Sequence, residues 1–136
     1  MSWNPALQEI IEEFAEIDDQ FEKFEVLIEF ADHVNELPLE QWTDENLVKG
    51  CQSIAHIQVE IIDDCIDIKA AADAKLVQGL QGILTIAIQG LSPQSALDLT
   101  PDFAVEMGLL NTLTPSRSNG FRNMFDLIQK TIKEMI

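Results

Sequence analysis

The chain has 136 residues, with 24 acidic against 8 basic side chains and a formal charge of −16. A chain of this length forms a single domain, residues 1–136, and buries about two-thirds of the surface its unfolded form exposes. Its 46% hydrophobic content excludes an acidic disordered tail, and phosphate binding needs clustered Lys and Arg, so nucleic acid is excluded as a partner.

No apolar run approaches the ~18–20 residues of a membrane span, so no membrane association is expected. Met1 to Ile10 carries no positive charge and no continuous apolar stretch, unlike a signal or transit peptide. Two cysteines are too few for a disulfide framework. A reducing, cytoplasmic setting is the expectation.

The charge is unevenly spread: residues 1–45 hold 14 acids and one base, Lys23. Asn4-Pro5 reads as a cap followed by proline at the first helical position, and Leu7, Ile10, Ile11 and Phe14 continue at helical spacing. A second helix is predicted from Asp18-Asp19, whose carboxylates suit a helix N-terminus. Its stripe is Phe21, Phe24, Leu27, Ile28 and Ala31, and it ends before Leu37-Pro38. The carboxylates of both helices make either a solvated face or a docking surface for a basic partner.

The apolar period then changes to two. Ile57, Val59 and Ile61 alternate with Gln58 and Glu60, and Ile66, Ile68 and Ala70 alternate with Asp67 and Lys69, so two strands are predicted. With Asp63-Asp64 as a two-residue turn, Ile61 faces Ile66, Val59 faces Ile68 and Ile57 faces Ala70. A short extra strand near Asn46 to Lys49 is compatible with this pattern.

From Asp73 the period is helical again. Leu76, Val77, Leu80, Ile83, Leu84, Ala87 and Ile88 form a wide apolar face, and Asp73 is placed to cap it. Gly79 and Gly82 each cost ~1 kcal/mol against alanine inside a helix, which predicts close packing against a neighbour. Short elements follow near Ser92-Pro93 and Pro101 to Met107. A last helix opens at Thr114-Pro115 and carries Phe121, Phe125, Ile128, Ile132 and Met135. The predicted class is α+β, a small antiparallel sheet packed against helices.

The hairpin register separates the two cysteines. Cys51 precedes the first strand and Cys65 begins the second at the far end, about 25 Å away along an extended strand. A disulfide needs Cα atoms within about 7 Å, so the pair is not bridged, and Cys65 reads as a bystander. Cys51 lies in the polar stretch Val48-Lys49-Gly50-Cys51-Gln52-Ser53. The pairing brings Asp73 and the start of the core helix close to that stretch. A helix N-terminus and a cation such as Lys49 both favour thiolate over thiol. Functional thiolate and inert loop thiol both remain open on these residues alone.

Arg117 falls one turn before Phe121, on the apolar stripe, where a guanidinium needs a partner. Thr114 and Pro115 cap the helix in the plain reading. In the functional one, Arg117 and Asn119 point into the same cleft as Cys51. His56, on the polar face with Gln58 and Glu60, reads as a surface residue.

The runs Val-Lys-Gly-Cys-Gln-Ser (48–53), Ala-Asp-Ala-Lys-Leu-Val-Gln-Gly-Leu (72–80) and Leu-Thr-Pro-Ser-Arg-Ser-Asn-Gly (113–120), in this order, resemble the SufE family of sulfur-acceptor proteins. The resemblance covers nearly the whole chain. It implies an α+β fold shared with iron–sulfur scaffold proteins, and a role beside a pyridoxal-phosphate cysteine desulfurase in iron–sulfur cluster assembly. It implies that Cys51 is the persulfide acceptor, in a loop with Lys49, Gly50, Gln52 and Ser53. Arg117, Asn119 and Asp73 match family residues near that loop. It implies no bound cofactor and no metal, since the pyridoxal phosphate belongs to the desulfurase, and an iron–sulfur scaffold complex as the downstream partner. The chain departs from the family pattern at Ala72, where Ser is usual, and at Ala55-His56, where Val-Trp is usual.

Three other readings compete with sulfur carriage. A free-standing Cys51 hydrolase or peroxidase needs a base within hydrogen-bond reach, and neither His33 nor His56 is well placed. A metal or cluster scaffold needs three or four soft ligands together. A non-catalytic module would dock a desulfurase or another basic partner through the acidic helices, with Cys51 incidental.

Overall fold

A two-residue turn fixes the register of the sheet. The computed structural model describes residues 5–49 and 53–136, and in it β1 (Ala55–Ile62) pairs antiparallel with β2 (Cys65–Ala72). Ile61 lies opposite Ile66, Val59 opposite Ile68 and Ile57 opposite Ala70, the predicted register. Asp63 and Asp64 both take positive φ, 52° and 62°, the sign pattern of the hairpin turn whose twist matches that of the strands. Aspartate enters this left-handed region more readily than most residues because its short side chain can bond locally.

Helix α3 (Lys75–Ile88) packs on the sheet and buries Val77, Leu80, Ile83, Leu84, Ala87 and Ile88, with Leu76 only half-buried. Buried Gln81 stitches it to the hairpin, donating from Nε2 to the Ala71 carbonyl at 2.9 Å. The two predicted close approaches are present. A Cβ on Gly79 would overlap the Leu27 carbonyl, and one on Gly82 would overlap the Phe30 carbonyl. Both contacts come from the end of α2 (Gln20–Glu29) and the 3-10 turn Phe30–His33 that follows.

That approach changes the predicted face of α2. Asp19 is the N-cap and accepts the Phe21 N–H at 3.3 Å, but the helix stops at Glu29, before the expected end. Leu27 and Phe30 are buried, whereas Phe21 is 78% exposed and Ile28 41% exposed. Because α2 meets α3 at its C-terminal end, Phe21 in its first turn stays outside while Phe24 is half-buried against the core, and the buried line runs through Leu27 and Phe30 instead of Phe21 and Ile28.

Helix α1 (Pro5–Ala15) buries Leu7, Ile10, Ile11 and Phe14; the expected Asn4 cap lies outside the described residues. After α3 come α4 (Pro93–Asp98), capped by Ser92, then α5 (Asp102–Glu106) and α6 (Leu109–Thr112). Helix α7 (Pro115–Met135) starts at Thr114, whose Oγ1 accepts the Arg117 N–H at 3.3 Å. It buries Phe121, Phe125, Ile128 and Ile132 against the sheet and α3, while Met135 at its end is half-exposed. Phe103 meets Phe121 and Phe125 edge-on, ring centroids 6.0 and 6.2 Å apart, a favoured aromatic geometry. The fold is α+β, as predicted, with helices gathered on a two-stranded antiparallel sheet.

Candidate functional site

Backbone bonds join the 46–48 segment to the start of β1 in a narrow neck. The Val48 N–H donates to the Ala55 carbonyl at 2.9 Å and the Ile57 N–H to the Asn46 carbonyl at 2.9 Å, with Leu47 bridged antiparallel to His56. The extra strand considered over Asn46 to Lys49 is thus a single bridge. Asn46 turns the chain back: its Nδ2 donates to the Gln41 carbonyl at 2.9 Å and its Oδ1 accepts the Thr43 N–H at 3.1 Å. Pairing therefore ends where the strand would have to lengthen.

Of the expected acceptor loop, Gly50, Cys51 and Gln52 lie outside the described residues. Lys49 is exposed. Ser53 and Ile54 are each held by a residue singled out in the sequence. Arg117 Nη1 donates to Ser53 Oγ at 2.8 Å, with both side chains half-buried. Arg117 thus finds the polar partner that its place on an apolar stripe required.

Asp73 forms a reciprocal pair with Ile54. The Ile54 N–H donates to Asp73 Oδ1 at 3.1 Å, and the Asp73 N–H donates to the Ile54 carbonyl at 3.1 Å. This corrects the expectation that Asp73 caps α3. The N-cap is Ala74, which offers no side-chain bond, because the Asp73 carboxylate is turned back onto the segment before β1. Two chain segments, the first turn of α7 and the end of β2, thus converge on the residues immediately after Gln52.

Asn119 is exposed. Two residues along a helix are about 200° apart around its axis, so Asn119 does not share the face by which Arg117 reaches Ser53. Cys65 is a free, exposed thiol opposite Ile62 at the turn. The eight residues of β1 put it about 25 Å from the neck. Among the described residues no group of three His, Cys, Asp or Glu side chains could hold a metal ion.

His56 departs furthest from its expected place. It is 6% exposed, not on the surface. Its ring lies on the indole of Trp42, centroids 4.9 Å apart and tilted by 32°, and its Nδ1 sits 2.6 Å from Asn46 Oδ1. Asn46 Oδ1 can only accept, so His56 Nδ1 carries the proton. Trp42 is itself fixed by donating from Nε1 to the Leu37 carbonyl at 3.1 Å. The alternation of β1 marks this face as polar, but the segment carrying Trp42 folds over its first residues. Trp42 is the signal in the sequence that such a cover exists.

A family model described as "Fe-S metabolism associated domain", SufE, matches residues 8–132. The chain belongs to the SufE family. It is 35% identical over 125 residues to a SufE-like protein of Synechocystis sp., covering 92% of this chain and 79% of that one. It is also 35% identical over 127 residues to SufE-like protein 1 of Arabidopsis thaliana, described as chloroplastic/mitochondrial, covering 93% of this chain but 34% of that longer protein. A Thermus thermophilus protein solved in solution shares the fold, with a TM-score of 0.82 at 22% identity, over 98% of this chain and 97% of that one. SufE membership ties the chain to iron–sulfur metabolism and sulfur transfer. No helix among the described residues is long and apolar enough to cross a membrane.

Proposed function

We propose that this SufE-family chain is a cytoplasmic sulfur acceptor that takes sulfane sulfur onto Cys51 from a pyridoxal-phosphate cysteine desulfurase, stimulates that enzyme, and passes the sulfur on for iron–sulfur cluster assembly. The Cys51 thiolate attacks the terminal sulfur of the desulfurase persulfide. The sulfur–sulfur bond of the donor breaks, the donor cysteine leaves as a thiolate, and a new sulfur–sulfur bond joins the moved atom to Cys51. No external oxidant or reductant enters, so this is thiol–persulfide exchange, and its rate follows thiolate fraction and access. The pyridoxal phosphate stays with the desulfurase, and this chain needs no cofactor of its own.

The observation that carries this reading is the convergence of Arg117 on Ser53 and Asp73 on Ile54, with Val48 and Ala55 closing the segment behind them. A transfer cysteine must be presented to another protein without being buried, and a short segment fastened at its base meets both needs. Two positive features lie at its base: Lys49, and the α3 N-terminus, whose N-cap Ala74 offers no side-chain bond. Each favours thiolate. Asn119 takes no part in the Arg117–Ser53 contact, so its contribution is assigned to the outer rim, toward the desulfurase.

The test is intact-mass measurement after incubation with a matched cysteine desulfurase and cysteine, without reductant. Wild type should gain the mass of sulfur, Cys51→Ser should gain none, and Cys65→Ser should behave as wild type. A wild-type chain that gains nothing beside an active desulfurase overturns sulfur carriage and leaves acidic docking as the role.

A further inference from the structure

The two edges of the hairpin are treated differently. On β2, Ile66, Ile68 and Ala70 point their backbone groups away from the ladder, and all of these groups are bonded. The Ile66 N–H donates to the Leu91 carbonyl and its carbonyl accepts the Gly90 N–H. The Ile68 N–H donates to Gln89 Oε1 at 2.9 Å and its carbonyl accepts Asn35 Nδ2 at 3.1 Å. Ala70 is bonded to Asn35 and Leu37. That edge is sealed along its length.

Among the described residues, the β1 edge is sealed only at its start, by Asn46 and Val48 on Ile57 and Ala55. By the same register, the outward groups of Val59 and Ile61 continue this edge, and among the described residues no backbone bond meets them. Val59 borders an open groove of about 510 Å³ between the 40–46 segment and α7, lined also by Glu40, Glu45, Gln58 and Thr131 among others, and Ile61 continues the edge beyond it. The charged side chains of that lining are the two glutamates, and Glu60 stands on the strand itself.

We propose that Val59 to Ile61 pair with an extended, lysine- or arginine-bearing segment of a partner protein, which lies in this groove as a third strand in line with the 46–48 segment. Edge pairing supplies main-chain bonds regardless of side-chain identity, and the side chains set the partner. Here the glutamates select cations. A second copy of this chain is a poor occupant, because pairing two such edges brings Glu40, Glu45 and Glu60 of each copy together on chains already at −16. The proposal stands independently of whether Cys51 carries sulfur.

Amide hydrogen exchange followed by NMR on the intact protein tests it, with a hexapeptide of alternating lysine and valine as probe and its glutamate–valine counterpart as control. In the free protein, the Val59 and Ile61 amides should exchange much faster than those of Ile66, Ile68 and Ala70. The lysine peptide should slow Val59 and Ile61 exchange at least tenfold and saturably, the glutamate peptide should not, and Glu40→Lys with Glu45→Lys should abolish the protection. Overturning results are three: no saturable binding, shifts confined to the acidic faces of α1 and α2 with Val59 and Ile61 unprotected, or protection that rises with protein concentration alone and so reports self-pairing.

Discussion

Arg117 Nη1 lies 2.8 Å from Ser53 Oγ, which fastens the first turn of α7 to the residue two places after Cys51. The contact joins residues 64 positions apart in the chain, and α7 is anchored below it by buried Phe121 and Phe125. The guanidinium therefore approaches the segment from a rigid base.

Removing that contact should affect transfer more than folding. Arg117→Ala deletes a hydrogen bond from a charged donor, but the pair is half-buried and solvent replaces part of it, so the stability loss should be about 1 kcal/mol or less. Presentation of Cys51 should suffer more, with sulfur acceptance slowed about tenfold, equivalent to ~1.4 kcal/mol of positioning. Arg117→Lys keeps the charge but not the planar fork, and should fall between the two. Urea melts beside single-turnover persulfide formation separate the effects. An Arg117→Ala chain that accepts sulfur at the wild-type rate removes Arg117 from the mechanism.

Asp73 offers a sharper comparison, because its carboxylate oxygen and its own N–H both bond Ile54. Asp73→Asn retains an oxygen acceptor and should leave the Ile54 amide in its wild-type environment. Asp73→Ala leaves only the backbone half of the pair, and Ile54 amide exchange should accelerate about fivefold, the equivalent of ~1 kcal/mol. Because Asp73 does not cap α3, neither variant should fray that helix. Faster exchange at Leu76 and Val77 in Asp73→Ala would show that the carboxylate caps after all.

The period-two pattern from Ile57 to Ala70 carries the register down to individual pairs, because alternation with one buried face leaves a strand one way to sit. Gly79 and Gly82 likewise announced a backbone approach that the Leu27 and Phe30 carbonyls supply. Local pattern did not reveal what covers the second face of β1. His56 looked solvated because its strand neighbours Gln58 and Glu60 are polar, and only the arrival of Trp42 from 14 residues upstream buries it. Phe21 and Ile28 fit a helical stripe but stay outside, since helical spacing marks a face without saying whether anything reaches it. At the site, residue types at the segment pointed to Cys51. The place of Arg117 on an apolar stripe called for a partner and the hairpin register brought Asp73 near the segment, but that the partners are Ser53 and Ile54 is tertiary, and no short-range signal encodes it.

Gly82 tests the packing beneath the site. Alanine normally improves a helix interior by about 1 kcal/mol over glycine, so propensity alone predicts that Gly82→Ala stabilises. A Cβ there would overlap the Phe30 carbonyl, which is backbone and cannot rotate away. Gly82→Ala should therefore destabilise by about 1–3 kcal/mol, as α2 and its 3-10 turn are levered off α3. A lower urea midpoint at nearly unchanged slope is the expected record. A stabilised Gly82→Ala protein would mean that the two elements are not in contact.

The opposite outcome is expected at the Asp63-Asp64 turn. Both residues hold positive φ, a region that disfavours side chains by about 1–2 kcal/mol per residue, less for aspartate. Asparagine and glycine are the preferred pair for this turn, and the change also removes two adjacent carboxylates from a chain at −16. Glycine returns part of the gain through greater freedom in the unfolded chain. The double variant Asp63→Asn, Asp64→Gly should therefore gain about 1 kcal/mol. The gain should shrink as salt screens the lost repulsion in wild type. The turn lies at the far end of β1 from Ser53, so sulfur acceptance should not change. Urea midpoints at low and high salt, read beside the acceptance rate, check both halves. A destabilised variant would mean that the aspartates make contacts at the turn that their φ values do not reveal.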